Sequence, residues 1–222
     1  MDFNKKYKIS FLGISFKFHK IFKNLFPNSK FKLYSWRKCR TNLLENRIDY
    51  HIDILVLCGF HYGSLTYKYK KFLDINVNYP ISFIEKFTSK KTIILYLDTD
   101  DSIFCGEKLK KKTYSRYKYA KKQLSDQLIK KYKNCKILKV PVLVKNDKKK
   151  NIEIKGNFFS KKIFEILIKF KKINYITEHK FISDVRKKIK MKNSNKLNNL
   201  KAKYLEIPRP VFLDRVLRFI YD

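Results

Sequence analysis

The chain has 222 residues, with 53 Lys and Arg against 19 Asp and Glu, a formal charge of +34, and 44% hydrophobic and 16% aromatic residues. That apolar content excludes intrinsic disorder and the collagen-like, coiled-coil and acidic-tail classes, and the length fits one domain with an appendage. Lysines interrupt every hydrophobic stretch, so no run of about 18 apolar residues marks a membrane span, and the N-terminus lacks the apolar core of a signal peptide; a cytoplasmic protein is the expectation.

Tyr7 to Gly13 (YKISFLG) is β-branched and aromatic and ends in glycine, which predicts a strand and a tight turn. Phe16 to Phe26 places Phe18, Phe22, Leu25 and Phe26 on one helical face. Phe31 to Trp36 predicts a second strand, and Asp53 to Gly59 (DILVLCG) a third, apolar on both faces as a buried parallel strand is. A helix over Lys71 to Phe87, a strand over Thr92 to Leu97, a helix over Tyr114 to Lys133 and a fifth strand over Lys136 to Val144 (KILKVPVLV) follow. Strands alternating with helices predict an α/β protein built on a doubly wound parallel sheet.

Beyond Val144 the texture changes. Lys145 to Asn151 is a charged connector, and Phe158 to Phe170 carries a helical stripe of Phe159, Ile163, Ile166 and Leu167. Lys187 to Lys203 is dominated by Lys and Asn and predicts a loop or weakly packed helix, while Pro210 to Tyr221 puts Phe212, Val216 and Phe219 on one face. The expected division is a nucleotide-type core over residues 1–144 and a small C-terminal lobe over 145–222.

Cys39, Cys58, Cys105 and Cys135 form no CxxC pair, and His19, His51, His61 and His179 show no ligand spacing. Reduced thiols and no structural metal are expected. The charge has two readings. Only eight of the basic residues are Arg and Ala occurs twice, while Lys, Asn, Ile, Phe and Tyr abound, which fits an AT-biased genome. The other reading is attraction of RNA or another polyanion, with Lys displacing counterions from phosphates and interleaved aromatics stacking on bases.

The order of these segments resembles the extended short-chain dehydrogenase/reductase family of NAD-dependent epimerases and dehydratases, whose fold is a Rossmann-like doubly wound sheet with, here, a reduced C-terminal lobe. SFLGISFKFHKIF resembles its strand, glycine loop and helix, in which GxxGxxG admits a pyrophosphate at the helix N-terminus. Gly13 is present, whereas Phe16 and His19 stand at the other two glycine places, where they predict crowding of the phosphates or a helix held off the sheet. HIDILVLCGF resembles the strand that ends in a small residue and glycine, here Cys58 and Gly59. FLDINVNYPISFIEKF resembles the helix with the Asn-Val signature, placing Asn76 at the structural asparagine. TIILYLDTDDSIFCG resembles the strand leading to the catalytic Ser or Thr, with Asp101 nearest that place, Thr99 and Ser102 beside it, and Cys105-Gly106 at the tyrosine-glycine pair. ILKVPVLV resembles the strand ending in a cofactor-contacting proline, Pro141, and HKFISDVRKKI the segment where an aspartate-valine pair, Asp184-Val185, opens a helix.

The family's central motif is YxxxK, whose spacing puts both side chains on one helix face. Five tyrosines here have Lys four residues on, namely Tyr34, Tyr67, Tyr114, Tyr117 and Tyr132, so spacing alone selects none. Ala120, where the family has Ser or Ala before its lysine, favours Tyr117 with Lys121; Tyr114 with Lys118 is an overlapping alternative. The resemblance implies Tyr117, Lys121, Ser102 and Thr99 as catalytic, and Gly13, Ser15, Phe18, Arg37, Asn76, Lys121 and Pro141 as cofactor-binding. Arg37, after the second strand, leans toward NADP over NAD. The implied substrate is a nucleotide sugar or similar small molecule with a hydroxyl or carbonyl, and a homodimer through the Tyr117 helix is implied too. The alternatives are a catalytically inactive binding protein on the same fold and an RNA-associated one.

Overall fold

The computed structural model describes residues 2–36, 51–99, 113–140, 142–144, 162, 166 and 175–190. Five strands, β1 (Lys8–Leu12), β2 (Lys30–Tyr34), β3 (Ile54–Leu57), β4 (Ile93–Thr99) and β5 (Cys135–Val140), form one all-parallel sheet in the order β2-β1-β3-β4-β5. This is a Rossmann-like α/β fold, as the alternation of segments predicts. β3 is buried at all four positions, because helices cover both faces of a parallel sheet. β2, at the end of the order, keeps Lys30, Lys32 and Leu33 exposed.

Successive side chains of each strand point to opposite faces. Ile9 and Phe11 of β1, Ile54 and Val56 of β3, and Leu95 and Leu97 of β4 join Phe22 and Leu25 of helix α1 (Phe16–Leu25) on one side. Phe181, Val185 and Ile189 of helix α5 (Glu178–Lys190) complete that layer. Each such buried side chain contributes about 1.5–3 kcal/mol of transfer free energy. On the other side, Leu12, Leu55, Leu57, Ile94 and Tyr96 meet Phe83, Ile84 and Phe87 of α3 (Tyr79–Phe87) and Leu124 and Leu128 of α4 (Thr113–Lys131).

The helix expected over Lys71 to Phe87 begins at α2 (Tyr69–Leu73) and reaches α3 through a π turn, Asp74–Asn78, closed by the Tyr79 N–H on the Asp74 carbonyl. Pro80 explains the irregularity, since it has no N–H to donate to the carbonyl four residues back and the extra residue relieves the clash of its ring. The run expected as one strand over Lys136 to Val144 divides into β5 and β6 (Val142–Val144). β6 leaves the main sheet and pairs in parallel with β7 (Tyr175–Thr177). The sequence has a proline at position 141, a residue that cannot donate to a ladder.

The Asp184-Val185 pair, expected to open a helix, lies in the interior of α5, which starts at Glu178. Helix α5 follows the proposed core boundary at 144 but buries its apolar stripe in the core. The Lys136 ammonium donates to the Ile189 carbonyl near its C-terminal end (3.1 Å). Of the stretch Phe158 to Phe170 only Lys162 and Ile166 are described, and the segments 191–203 and 210–221 lie outside the described residues. No helix among the described residues is long and apolar enough to cross a membrane.

Candidate functional site at the sheet switch point

Strand order reverses between β1 and β3, and in open parallel sheets the crevice beyond the strand ends at such a reversal is where ligands bind. Gly13 follows β1 with φ +107°, a left-handed conformation that favours glycine. A Cβ at Gly13 would strike the backbone of Gly59, which follows β3, and one at Gly59 would strike the Trp36 indole. The two loops therefore meet backbone to backbone with the indole as a wall. The Gly13 N–H donates to the Tyr34 carbonyl (2.8 Å) and the Cys58 N–H to the Leu12 carbonyl (3.0 Å). The Cys58 thiol in turn donates to the Gly13 carbonyl (3.2 Å). Burial pushes that thiol up to about 12, against the pull of the Lys121 charge.

Phe16 and His19 stand at the other two glycine places of the motif. Phe16 is 77% exposed, turned to solvent. The His19 ring packs edge-on to Phe11 and Phe31 at 5.8 and 5.4 Å. Helix α1 still seats on the sheet, with Phe22 edge-on to Phe11 at 5.4 Å, so aromatic edges occupy the space that a glycine would leave to closer packing.

Helix α4 brings the YxxxK pair to the same crevice. Tyr117 is half-buried with its ring edge-on to Phe60, the residue after Gly59, at 4.6 Å. One turn on, Lys121 is 5% exposed. Its ammonium donates to the Leu97 carbonyl near the end of β4 (3.3 Å) and lies 4.8 Å from the centre of the Tyr96 ring. Burial pulls this ammonium below the ordinary lysine value, while Asp98 and Cys58 pull the other way. Asp98 is 1% exposed on β4, and its charge, behind burial and ahead of Tyr117 and Cys135, raises the Tyr96 phenol well above the usual range. Ala120 is buried with Phe72 and Val77, where a larger side chain would lift α4 from the α2 segment.

The other expected site residues stand elsewhere. Ser15 is the N-cap of α1, in extended conformation and without a side-chain cap bond. Phe18 packs on Phe181 of α5 (5.7 Å between ring centres), on the α1 side of the sheet. Asn76 is buried in the π turn and its amide is spent within the protein: Oδ1 accepts from the His61 N–H (2.9 Å), and Nδ2 donates to Ser64 Oγ (2.6 Å) and to the Phe72 carbonyl (3.0 Å). Ser64 Oγ donates to the His61 carbonyl (2.6 Å), closing a ring that fixes the segment after β3. Thr99 ends β4. Tyr114 and Lys118 lie on α4, while Arg37, Asp101, Ser102, Cys105, Gly106 and Pro141 lie outside the described residues.

Asp98, Trp36 and Arg116 were not singled out by the sequence reading. An acid ending the apolar run TIILYLD and a lone tryptophan after β2 were the available signals for the first two. Arg116 had none; its Nη1 donates to the Leu65 and Tyr67 carbonyls (both 3.0 Å) and ties α4 to the 3-10 turn Tyr62–Thr66. No group of His, Cys, Asp and Glu among the described residues is arranged to hold a metal.

The geometry fits a dinucleotide in part. Gly13 makes the left-handed turn at the switch point and the Lys121 charge acts on Cys58 there, while the close approach of Gly13 and Gly59 is taken up by each other's backbone and by the Trp36 indole.

No family model matches the sequence, and no curated protein matches it. Among solved structures the chain is similar to ADP-L-glycero-D-manno-heptose-6-epimerase of Helicobacter pylori, with 13% identity and a TM-score of 0.57 over 87% of this chain and 76% of that one. It is also similar to the capsular polysaccharide assembling protein CapF of Staphylococcus aureus, with 13% identity and a TM-score of 0.44 over 82% of this chain and 49% of that one. At this identity the likeness to the epimerase establishes the fold: the chain has the Rossmann-like α/β architecture that its sheet order and crossovers display.

Proposed function

We propose that the protein is a divergent NAD(P)-dependent oxidoreductase of the epimerase/dehydratase type, acting on a hydroxyl- or carbonyl-bearing small molecule such as a nucleotide sugar. The observation that carries this reading is the convergence of Tyr117 and Lys121 on the Gly13–Gly59 crevice through Phe60, Cys58 and the Leu97 carbonyl. In it, Gly13, Ser15 and the start of α1 hold the phosphates, Lys121 holds the ribose, and Arg37 leans the choice toward NADP. The bound dinucleotide supplies hydride exchange. Tyr117 exchanges the proton with the substrate hydroxyl, with Lys121 one turn on to orient it. Ser102 or Thr99 supplies the hydroxyl that polarises the substrate oxygen. Solved epimerases of this architecture include one whose named substrate is an ADP-sugar, which sets the substrate class to screen first.

The test is turnover of a panel of nucleotide-diphosphate sugars. Tyr117→Phe is expected to abolish turnover, by at least about a hundredfold as loss of a general acid/base does, while NADPH affinity stays within about twofold. Unchanged turnover in that variant overturns the assignment. One observation favours a second reading, a catalytically inactive binding protein: the Lys121 ammonium is already engaged by the Leu97 carbonyl. That reading predicts nucleotide binding with no turnover of any sugar in the panel.

A further inference from the structure

The corner of the molecule at the start of α1 carries apolar and basic groups together. Phe16 is 77% exposed, Ile14 54%, and Leu33 on the edge strand β2 37%. Leu33 stands in register with Phe11, two residues before Gly13, which brings it to the same end of the sheet. Phe16 shares a helix face with Lys20 and Lys23, one and two turns on, and both are exposed. Lys30 and Lys32 of β2 are exposed too, but they alternate with Phe31 and Leu33 to the other face of the strand, and Lys30, in register with Lys8, stands at the far end of the sheet from Gly13. Residues 3–36 contain eight Lys, no Arg and no Asp or Glu. Two acids meet this segment: Asp53 accepts from the Lys8 N–H at the start of β1, the far end of the strand (2.8 Å), and Glu178 of α5 pairs with Lys17, the residue after Phe16 (3.6 Å).

Exposed large apolar groups have a cost in water that a monomer rarely leaves contiguous without use. We propose that this corner docks onto an acidic phospholipid surface, with Ile14, Phe16 and Leu33 entering the boundary between headgroups and acyl chains and Lys20 and Lys23 meeting the anionic headgroups. Charge complementarity fixes the sign of the partner. Two of the three apolar groups are aliphatic and have no ring on which a base stacks, which favours a bilayer over a nucleic acid. Lysines near an anionic leaflet and buried apolar area act together in such docking.

The experiment is co-sedimentation of the full chain with vesicles at about 0.15 M salt, using phosphatidylcholine alone and phosphatidylcholine with roughly 30% phosphatidylserine. The native chain is expected to bind the acidic vesicles and not the neutral ones. Ile14→Ser with Phe16→Ser is expected to weaken that binding about tenfold, while binding to a single-stranded oligonucleotide stays within about twofold. Both side chains are exposed, so the thermal midpoint of this variant is expected to match the native one. Lys20→Glu with Lys23→Glu is expected to weaken vesicle binding as well, through charge alone. Acidic-vesicle binding that is absent, or that the Ile14 and Phe16 substitutions leave unchanged, overturns the proposal. So does an oligonucleotide affinity that falls by the same factor, which would make the corner a nucleic-acid surface.

Discussion

At the residue scale, the cluster of Cys58, Asp98, Tyr96 and Lys121 is governed by burial. A lysine enters such a place only with compensation, and Lys121 has the Leu97 carbonyl, the face of Tyr96 and the Asp98 charge. The thiols give this burial a pH signature. Cys58 and Cys135 are both pushed up to about 12 by desolvation, whereas an unfolded thiol ionises near about 8.5. The stability they contribute is whole below that lower value and is lost as pH rises toward the upper one, at up to about 1.4 kcal/mol per pH unit for each thiol. Lys121 has the opposite sign: its depressed value adds stability above the ordinary lysine pKa, lost as pH falls through the folded one. Urea midpoints are therefore expected to fall between about pH 9 and 11, less steeply in a Cys58→Ala, Cys135→Ala variant. An equal slope in that variant would contradict the assignment. Five Tyr-Lys pairs share the motif spacing, and Ala120 singles out Tyr117 with Lys121, but in a chain with lysine at nearly every turn only the fold shows that Lys121 is buried.

At the element scale, the strands were legible because their composition is set by burial on two faces: DILVLCG and TIILYL have no polar side to present to water. Where one proline decides geometry, periodicity was silent. Pro80 turns a helix that reads as continuous into two joined by a π turn, and that turn aims the Asn76 amide at His61 and Ser64. Asn76→Ala leaves the buried Ser64 hydroxyl and His61 N–H without this partner, and the expected cost is about 1–3 kcal/mol. Chemical denaturation measures it, and a loss within about 0.5 kcal/mol would mean that the ring of bonds does not hold the segment after β3.

For the whole molecule, the sheet and its two covering layers follow from local patterns, but the source of one layer does not. Helix α5 reads from sequence as part of an appendage, since nothing in EHKFISDVRKKIK says which surface its stripe covers; the structure seats it beside α1 and β5. Phe181 is fully buried there against Phe18, so Phe181→Ala is expected to cost about 3–5 kcal/mol of global stability. A cost below about 1 kcal/mol would place α5 outside the cooperative unit. The same distance between pattern and packing applies to the crevice. Gly13, Gly59 and Lys121 are far apart in sequence, and their convergence depends on parallel crossovers that bring the ends of β1, β3 and β4 side by side.

The central claim is that this crevice binds a dinucleotide. A calorimetric titration with NADPH and NADH at about 0.15 M salt, beside a polyanion control, tests it most directly, because a chain of charge +34 attracts any polyphosphate. Micromolar saturable binding that favours NADPH and weakens at least about tenfold in Lys121→Ala is the predicted result. Binding no stronger than the polyanion control, or indifferent to Lys121, would contradict the account.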